Sequence, residues 1–119
     1  MHRFPSRVYD VGDEPDPRFT LANERTFLAW CRTSLALISI AVALDNVTVA
    51  MMGTIKIAVV LVLMVIGIVL PLAAWRDWAF NERAMRLGEP LPGSLAQLVL
   101  TVGLVGCAVG VLIGMVAAW

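Results

Sequence analysis

The chain has 119 residues, of which 60% are hydrophobic and 15% are charged, and its formal net charge is zero. A mean hydropathy of +0.84 lies far above that of soluble globular domains and indicates an integral membrane protein. The zero net charge argues against a nucleic-acid partner.

The first fifteen residues are mostly polar and show no hydrophobic periodicity. We therefore predict a mobile tail over residues 1–15. Asp16 followed by Pro17 is the pattern of a helix N-cap and a first-turn proline, so a helix can begin there. Because the first apolar run comes only after this long polar stretch, we expect no cleavable signal peptide.

Three segments are long and apolar enough to cross a bilayer, which takes about 20 predominantly apolar residues. They cover about residues 27–49, 57–75 and 95–119. Too little chain remains for a soluble domain, so we predict one all-α membrane domain over residues 16–119 with three transmembrane helices. Pro71, late in the second span, predicts a kink there.

The basic residues predict the orientation in the membrane. Arginines occur before the first span and in the second linker, whereas the first linker has only Lys56. The positive-inside rule then places the N-terminus and the second linker in the cytoplasm and the C-terminus outside. The second helix should continue as an amphipathic surface helix that Gly88 ends, with Arg83 and Arg86 near lipid headgroups. Ser94 can cap the third span.

The third span carries glycines at four-residue intervals, Gly106, Gly110 and Gly114. This pattern of small residues allows two helix backbones to approach closely, so we assign these glycines to helix packing. The pattern does not distinguish a partner helix in the same chain from one in another chain.

A polar stripe runs along the first span. Arg25 and Arg32 are seven residues apart and therefore lie on nearly the same helix face, which continues to Ser39 and Asn46. Small residues occupy the positions between them, namely Ala29, Ala36 and Ala43. We name these seven residues the seam. Because lipid does not tolerate such a polar face, the seam should face protein or water.

The depth and chemistry of the arginines suggest an anion site. If the bilayer begins near Phe27, Arg32 lies about 7 Å inside it. Arg76 ends the neighbouring antiparallel span, so three guanidinium groups could converge at one level, and guanidinium suits bidentate binding of phosphate or carboxylate. Alternatively, Glu24 and Glu82 neutralise the arginines as structural ion pairs, or the arginines are interface anchors that only set topology.

Enzymatic chemistry is not indicated by this sequence. His2 is the only histidine, and Cys31 and Cys107 have no metal-binding spacing. We find no Gly-rich phosphate loop and no nucleophile with a base nearby, so we expect no catalysis, no cofactor and no metal site.

Two motifs resemble a known family. The core NERTFLAWCRTSLAL at the head of the first span and RLGEPLP after the second resemble the YidH-type bacterial membrane proteins of domain-of-unknown-function family 202. This resemblance covers nearly the whole chain and implies a multi-pass protein of the bacterial inner membrane.

The same domain forms the membrane part of the eukaryotic vacuolar transporter chaperone complex, which makes polyphosphate and passes it through the membrane. The resemblance implies several copies around a pore, with basic residues of the first and second spans touching the polyphosphate. By motif, Arg25 and Arg32 match the two basic positions of the first span, and Arg76 matches the one that ends the second. We expect no phosphate-sensing or polymerase domain in these 119 residues, so the resemblance does not imply polyphosphate synthesis.

Two functions therefore stay open. In the first, the protein is a homo-oligomer of about five copies or fewer whose seam binds or conducts phosphate-like anions, with polyphosphate as one candidate. In the second, it is a structural or chaperone subunit that packs against another membrane protein and transports nothing itself.

Overall fold

The structure is a computed structural model that describes residues 3–119, and the regular secondary structure in this part of the chain is all α-helix. The helices are α1 (Ser6–Tyr9), α2 (Pro17–Asn46), α3 (Gly53–Leu87) and α4 (Leu95–Ala118). Within residues 3–119, α2, α3 and α4 are long and apolar enough to cross a membrane. The predicted all-α class with three transmembrane helices is confirmed, and the orientation of the termini stays a prediction.

Local sequence signals set several helix ends as predicted. The Asp16 side chain accepts a hydrogen bond from the N–H of Arg18 at 2.9 Å and so caps α2. The Arg18 side chain and then its N–H hold the pKa of the Asp16 carboxyl below its usual range. Gly88 ends α3 in the left-handed conformation (φ 69°), and Ser94 caps α4 by accepting from the N–H of Gln97 at 3.1 Å.

Helix α3 lies at the centre, and the other three helices pack against it. Its 35 residues give a length of about 52 Å, whereas the hydrocarbon core of a bilayer is about 30 Å thick. The residues after Trp75 therefore project beyond the apolar region. We call this end of the bundle, where α2 and α4 begin and α3 ends, the polar end.

Helix α2 packs on α3 through one stripe whose spacing alternates between four and three residues. The stripe comprises Asn23, Phe27, Trp30, Ser34, Leu37, Ala41 and Leu44. Such spacing keeps one face of a helix against its neighbour. Within this contact the hydroxyl of Ser34 donates a hydrogen bond to the carbonyl oxygen of Gly67.

Helix α4 packs on α3 through a set of glycines that differs from the prediction. Side chains of α3 or of the segment before it lie against Gly110 and Gly114, and any side chain at Gly103 would overlap Ile66. A Cβ at Gly106 would meet no atom within 4 Å. Residues four apart drift about 40° around a helix at each step, so three glycines at strict four-residue spacing do not share one contact face, and Gly106 lies outside it.

The buried carboxylate of Asp77 joins α3 to the start of α4. It accepts hydrogen bonds from the hydroxyl of Ser94 at 2.8 Å and from the N–H groups of Leu95 at 2.9 Å and Ala96 at 2.8 Å. Asp77 is only 6% exposed. A side chain from one helix thus binds the free N–H groups at the beginning of the next.

The predicted mobile tail is instead packed against α3 over residues 3–15, which we name the strap; Met1 and His2 lie outside the described residues. Val8 of the strap is 2% exposed. At Gly12 (φ 59°), a side chain would overlap the carbonyl group of Arg86. The N–H of Asp13 donates to that same carbonyl oxygen at 3.0 Å.

Arg86 is the residue that holds the strap, and its predicted place among lipid headgroups is wrong. Its guanidinium is buried and donates to the carbonyl oxygens of Tyr9 at 2.9 Å and Val11 at 2.8 Å, and to the Glu14 carboxylate at 3.1 Å. These partners satisfy the charge without water. The sequence did not predict this packing, because most of the acceptors are backbone carbonyls and the segment itself is polar.

Candidate functional site

The seam lies on the face of α2 that points away from its own bundle. All seven of its residues are exposed, and their spacing alternates between four and three residues like that of the buried stripe. The seam is displaced from that stripe by two positions, which is about 200° around the helix. Helix α2 therefore has two long faces of matching period, one against α3 and one that has no partner among residues 3–119.

Among the polar side chains of the seam, the two arginines have no hydrogen-bond or ion-pair partner in residues 3–119, whereas the other two do. Ser39 and Asn46 donate to carbonyl oxygens of their own helix, Leu35 at 2.8 Å and Val42 at 2.7 Å. Arg25 and Arg32, in contrast, have no hydrogen bond or ion pair with any part of residues 3–119. Their guanidinium groups are free to bind an anion or a group from another chain.

Arg76 does not join these arginines within residues 3–119. Its guanidinium lies 3.6 Å from the Asp77 carboxylate and 4.6 Å from the ring centroid of Phe80. Arg76 belongs to α3, whereas the seam faces away from α3. One chain therefore does not bring the three guanidinium groups to one site, which differs from the predicted convergence.

The predicted ion pairs of Glu24 and Glu82 with these arginines are also not present in the described part of the chain. Glu24 is exposed and unpaired there. Glu82 is 1% exposed and accepts from the hydroxyl of Thr20 and the amide of Asn23, each at 3.4 Å. Glu82 lies on the face of α3 that meets α2, opposite the seam, so it cannot neutralise Arg25 or Arg32.

Comparison with known protein families gives a match over the α2–α3 hairpin. Residues 18–84 match the family described as "Domain of unknown function (DUF202)". The chain belongs to the DUF202 family. The DUF202 match includes the seam and the buried contacts of Asn23 and Glu82, but not the strap, Arg86 or α4.

Curated relatives extend the likeness beyond the DUF202 region. "Inner membrane protein YidH" of Escherichia coli (strain K12) is 38% identical over 104 residues, which cover 87% of this chain and 90% of the relative. "Uncharacterized protein Rv2272" of Mycobacterium tuberculosis (strain ATCC 25618 / H37Rv) is 45% identical over 100 residues, covering 82% and 80%. No solved structure matches.

The predicted membrane location is confirmed by two findings. Over residues 3–119 the structure has three helices that can span a bilayer, and the YidH relatives carry the inner membrane in their name. This DUF202 chain is accordingly a multi-pass inner-membrane protein.

A buried polar cluster, which sequence reasoning missed, ties α2 to α3 at the polar end of the DUF202 hairpin. The amide of Asn23 donates to the carbonyl oxygen of Trp78 at 3.0 Å and to Glu82, and its own oxygen accepts from Asn81 at 3.5 Å. A cleft of about 210 Å³ lies beside it. The spacing of Asn23 could have indicated its burial, because it lies seven residues before Trp30 and therefore on the same buried stripe of α2.

Metal ligation finds no support in the part of the chain that the structure describes. Within residues 3–119, no three His, Cys, Asp or Glu side chains are grouped so that they could hold an ion. Cys31 and Cys107 are both free thiols.

Proposed function

We propose that this protein is a homo-oligomer that binds phosphate-like anions through the seams of several copies and passes them across the membrane. The observation that carries the proposal is the pair of unpaired guanidinium groups, Arg25 and Arg32, on the face of α2 opposite its own bundle. The proposed orientation has the N-terminus in the cytoplasm, as the positive-inside rule predicts.

The position of α2 explains why several copies are needed. Helix α3 covers one face of α2, and the seam is open on the other. A single chain therefore cannot enclose a path along its own seam. Copies arranged about an axis, each with its seam turned inward, would enclose one, and Ala29, Ala36 and Ala43 would let the helices approach closely.

The cost of charge in lipid favours this arrangement over an exposed seam. An arginine at the centre of a bilayer costs about 2.5 to 3.5 kcal/mol on insertion scales, and less nearer the surface. In a closed assembly, water and anions would replace lipid around Arg32. Two rings of guanidinium groups, about 10 Å apart along the axis, would then attract anions to the mouth of the path.

Ser39 and Asn46 continue the proposed path beyond the arginines. Their side chains already donate to backbone carbonyls, but each retains acceptor or donor capacity for water. Arg76, held near Asp77 and Phe80, would sit outside the ring of seams as a flanking cation. The resemblance to the membrane domain of the vacuolar transporter chaperone complex supports phosphate chains as the class of anion.

Anion flux in proteoliposomes tests this proposal. Phosphate, chloride and short polyphosphate are offered to the wild-type protein, to Arg32→Ala and to Arg18→Ala. Arg18 is the matched control because it is an exposed arginine at the same end of the bundle, already paired with Asp16 at 2.8 Å. We expect Arg32→Ala to abolish flux while the oligomer stays intact, and Arg18→Ala to retain it.

Two results would overturn the proposal. Wild-type protein that is oligomeric but conducts none of these anions would exclude an open path. Loss of assembly or abundance in Arg32→Ala, without any wild-type flux, would instead support the structural-subunit function, in which the seam packs against another membrane protein.

A further inference from the structure

A second cationic site lies away from the seam, between the strap and α3. A cavity of about 470 Å³ is lined by Pro5, Arg7 and Val8 from the strap and by Trp75, Phe80 and Arg83 from α3. None of these residues belongs to α2, so the cavity is independent of the proposed anion path.

The lining combines two cations with an apolar wall. The guanidinium of Arg83 donates one hydrogen bond, to the carbonyl oxygen of Arg7 at 2.8 Å, and keeps its other donors. The side chain of Arg7 has no partner in residues 3–119. No acidic residue of that part of the chain lines the cavity, and its remaining lining is aromatic or aliphatic.

The end of the apolar run of α3 puts the cavity near the level of a bilayer's headgroups. The apolar run of α3 ends at Ala74, and Trp75 is a residue typical of the membrane interface. Arg83 is two helical turns further on, about 12 Å along the axis. The headgroup region adds about 5 to 8 Å to each side of the hydrocarbon core. A long arginine side chain that turns back toward the membrane reaches this region.

We propose that this cavity binds one anionic glycerophospholipid, with its phosphodiester held by Arg7 and Arg83 and its glycerol and upper acyl carbons against Trp75 and Phe80. Charge complementarity selects an anionic group, since the site offers two cations and no acid. The apolar wall selects a lipid over free phosphate, which would leave that wall uncovered. The strap that Arg86 holds against α3 supplies three of the seven residues that line the site.

Native mass spectrometry of the purified protein with phosphatidylglycerol or phosphatidylcholine tests this inference. We expect the wild type to retain one phosphatidylglycerol per chain in preference to phosphatidylcholine. Arg7→Gln should weaken retention about fivefold and Arg7→Gln with Arg83→Gln about 25-fold, because a basic residue at an anionic membrane surface contributes roughly 1 kcal/mol. Arg18→Gln removes the same charge outside the cavity and should leave retention unchanged.

Arg7→Lys separates the charge of Arg7 from any structural effect, because lysine also binds phosphate. It should restore most of the retention. Equal losses in Arg7→Gln and Arg18→Gln would show diffuse surface attraction and overturn the site. Equal retention of the two lipids, failure of Arg7→Lys to restore binding, or displacement of phosphatidylglycerol by millimolar inorganic phosphate would each overturn it as well.

Discussion

The hydroxyl of Ser34 in α2 donates a hydrogen bond to the carbonyl oxygen of Gly67 in α3. In a regular helix that oxygen would accept from the N–H four residues later, but that residue is Pro71, which has none. A backbone oxygen without a donor is costly inside a bilayer. Ser34 therefore supplies from the neighbouring helix the donor that Pro71 removes.

We expect the cost of Ser34→Ala to depend on Pro71. With proline present, the change should destabilise the fold by about 1 kcal/mol, within the range of interhelical hydrogen bonds in membranes. In Pro71→Ala protein, the new N–H of residue 71 serves Gly67, so Ser34→Ala should cost less. Unfolding in mixed detergent, arranged as a double-mutant cycle, measures this coupling, and equal costs in both backgrounds would contradict it.

The contact between α3 and α4 predicts opposite results for two glycines. Gly103→Ala places a methyl group against Ile66 and should destabilise the protein by about 1 to 3 kcal/mol. Gly106→Ala meets no atom and should be neutral or slightly stabilising, because alanine is the better helix former. Thermal unfolding of the two variants in the same detergent distinguishes them. A larger loss of stability in Gly106→Ala than in Gly103→Ala would contradict this contact and support the predicted packing through Gly106, Gly110 and Gly114.

The strap should detach when its contacts with Arg86 are removed. Arg86→Gln removes charge-assisted hydrogen bonds to Tyr9, Val11 and Glu14. Gly12→Ala reaches the same result from the other side, since its methyl group overlaps the Arg86 carbonyl. Hydrogen exchange of residues 3–15 should rise at least about tenfold in either variant, as the loss of more than about 1.4 kcal/mol implies.

Gly93→Ala is the control for Gly12→Ala, because nothing lies within 4 Å of a Cβ there. It should leave exchange in the strap unchanged. Strap residues that exchange equally fast in wild-type protein and in Arg86→Gln would return the segment to the mobile tail that the sequence predicted.

The proposed oligomer should be sensitive to bulk on the seam and not beside it. Ala36→Trp places a large ring between the seams of neighbouring copies and should dissociate the assembly. Leu35→Trp changes the adjacent residue, which is also exposed but lies about 100° around the helix. Light scattering of both variants in detergent gives their masses. An intact oligomer in Ala36→Trp would place the interface on another face.

Local signals in this sequence are sufficient for the helix count and for several helix ends. Hydropathy identifies the three spans, and Asp16, Gly88 and Ser94 act on backbone groups within a few residues of themselves. The faces of α2 also follow from spacing alone. Each of these features depends on chain neighbours, which the sequence displays directly.

Contacts between distant segments could not be predicted in the same way. Arg86 binds backbone carbonyls. Every residue has a carbonyl, so the sequence cannot indicate which ones Arg86 will bind. Glu82 was a predicted partner for the arginines of the seam, yet it accepts hydrogen bonds from neutral groups of α2. Asp77, beside Arg76, accepts hydrogen bonds from N–H groups at the start of α4. Charge indicated that these side chains need partners, but only the packing of the helices determines which ones.

The strap also has a consequence for how the protein is made. Arg86 lies 75 and 77 residues after the two carbonyls that it binds, so the ribosome releases the strap long before it synthesises Arg86. The two lie at the same end of the α2–α3 hairpin, so their contact forms once these two helices lie side by side in opposite directions. A chain whose hairpin fails to insert leaves its first residues unattached and open to proteolysis. Closure of the strap thus marks the molecules in which insertion of the first hairpin is complete.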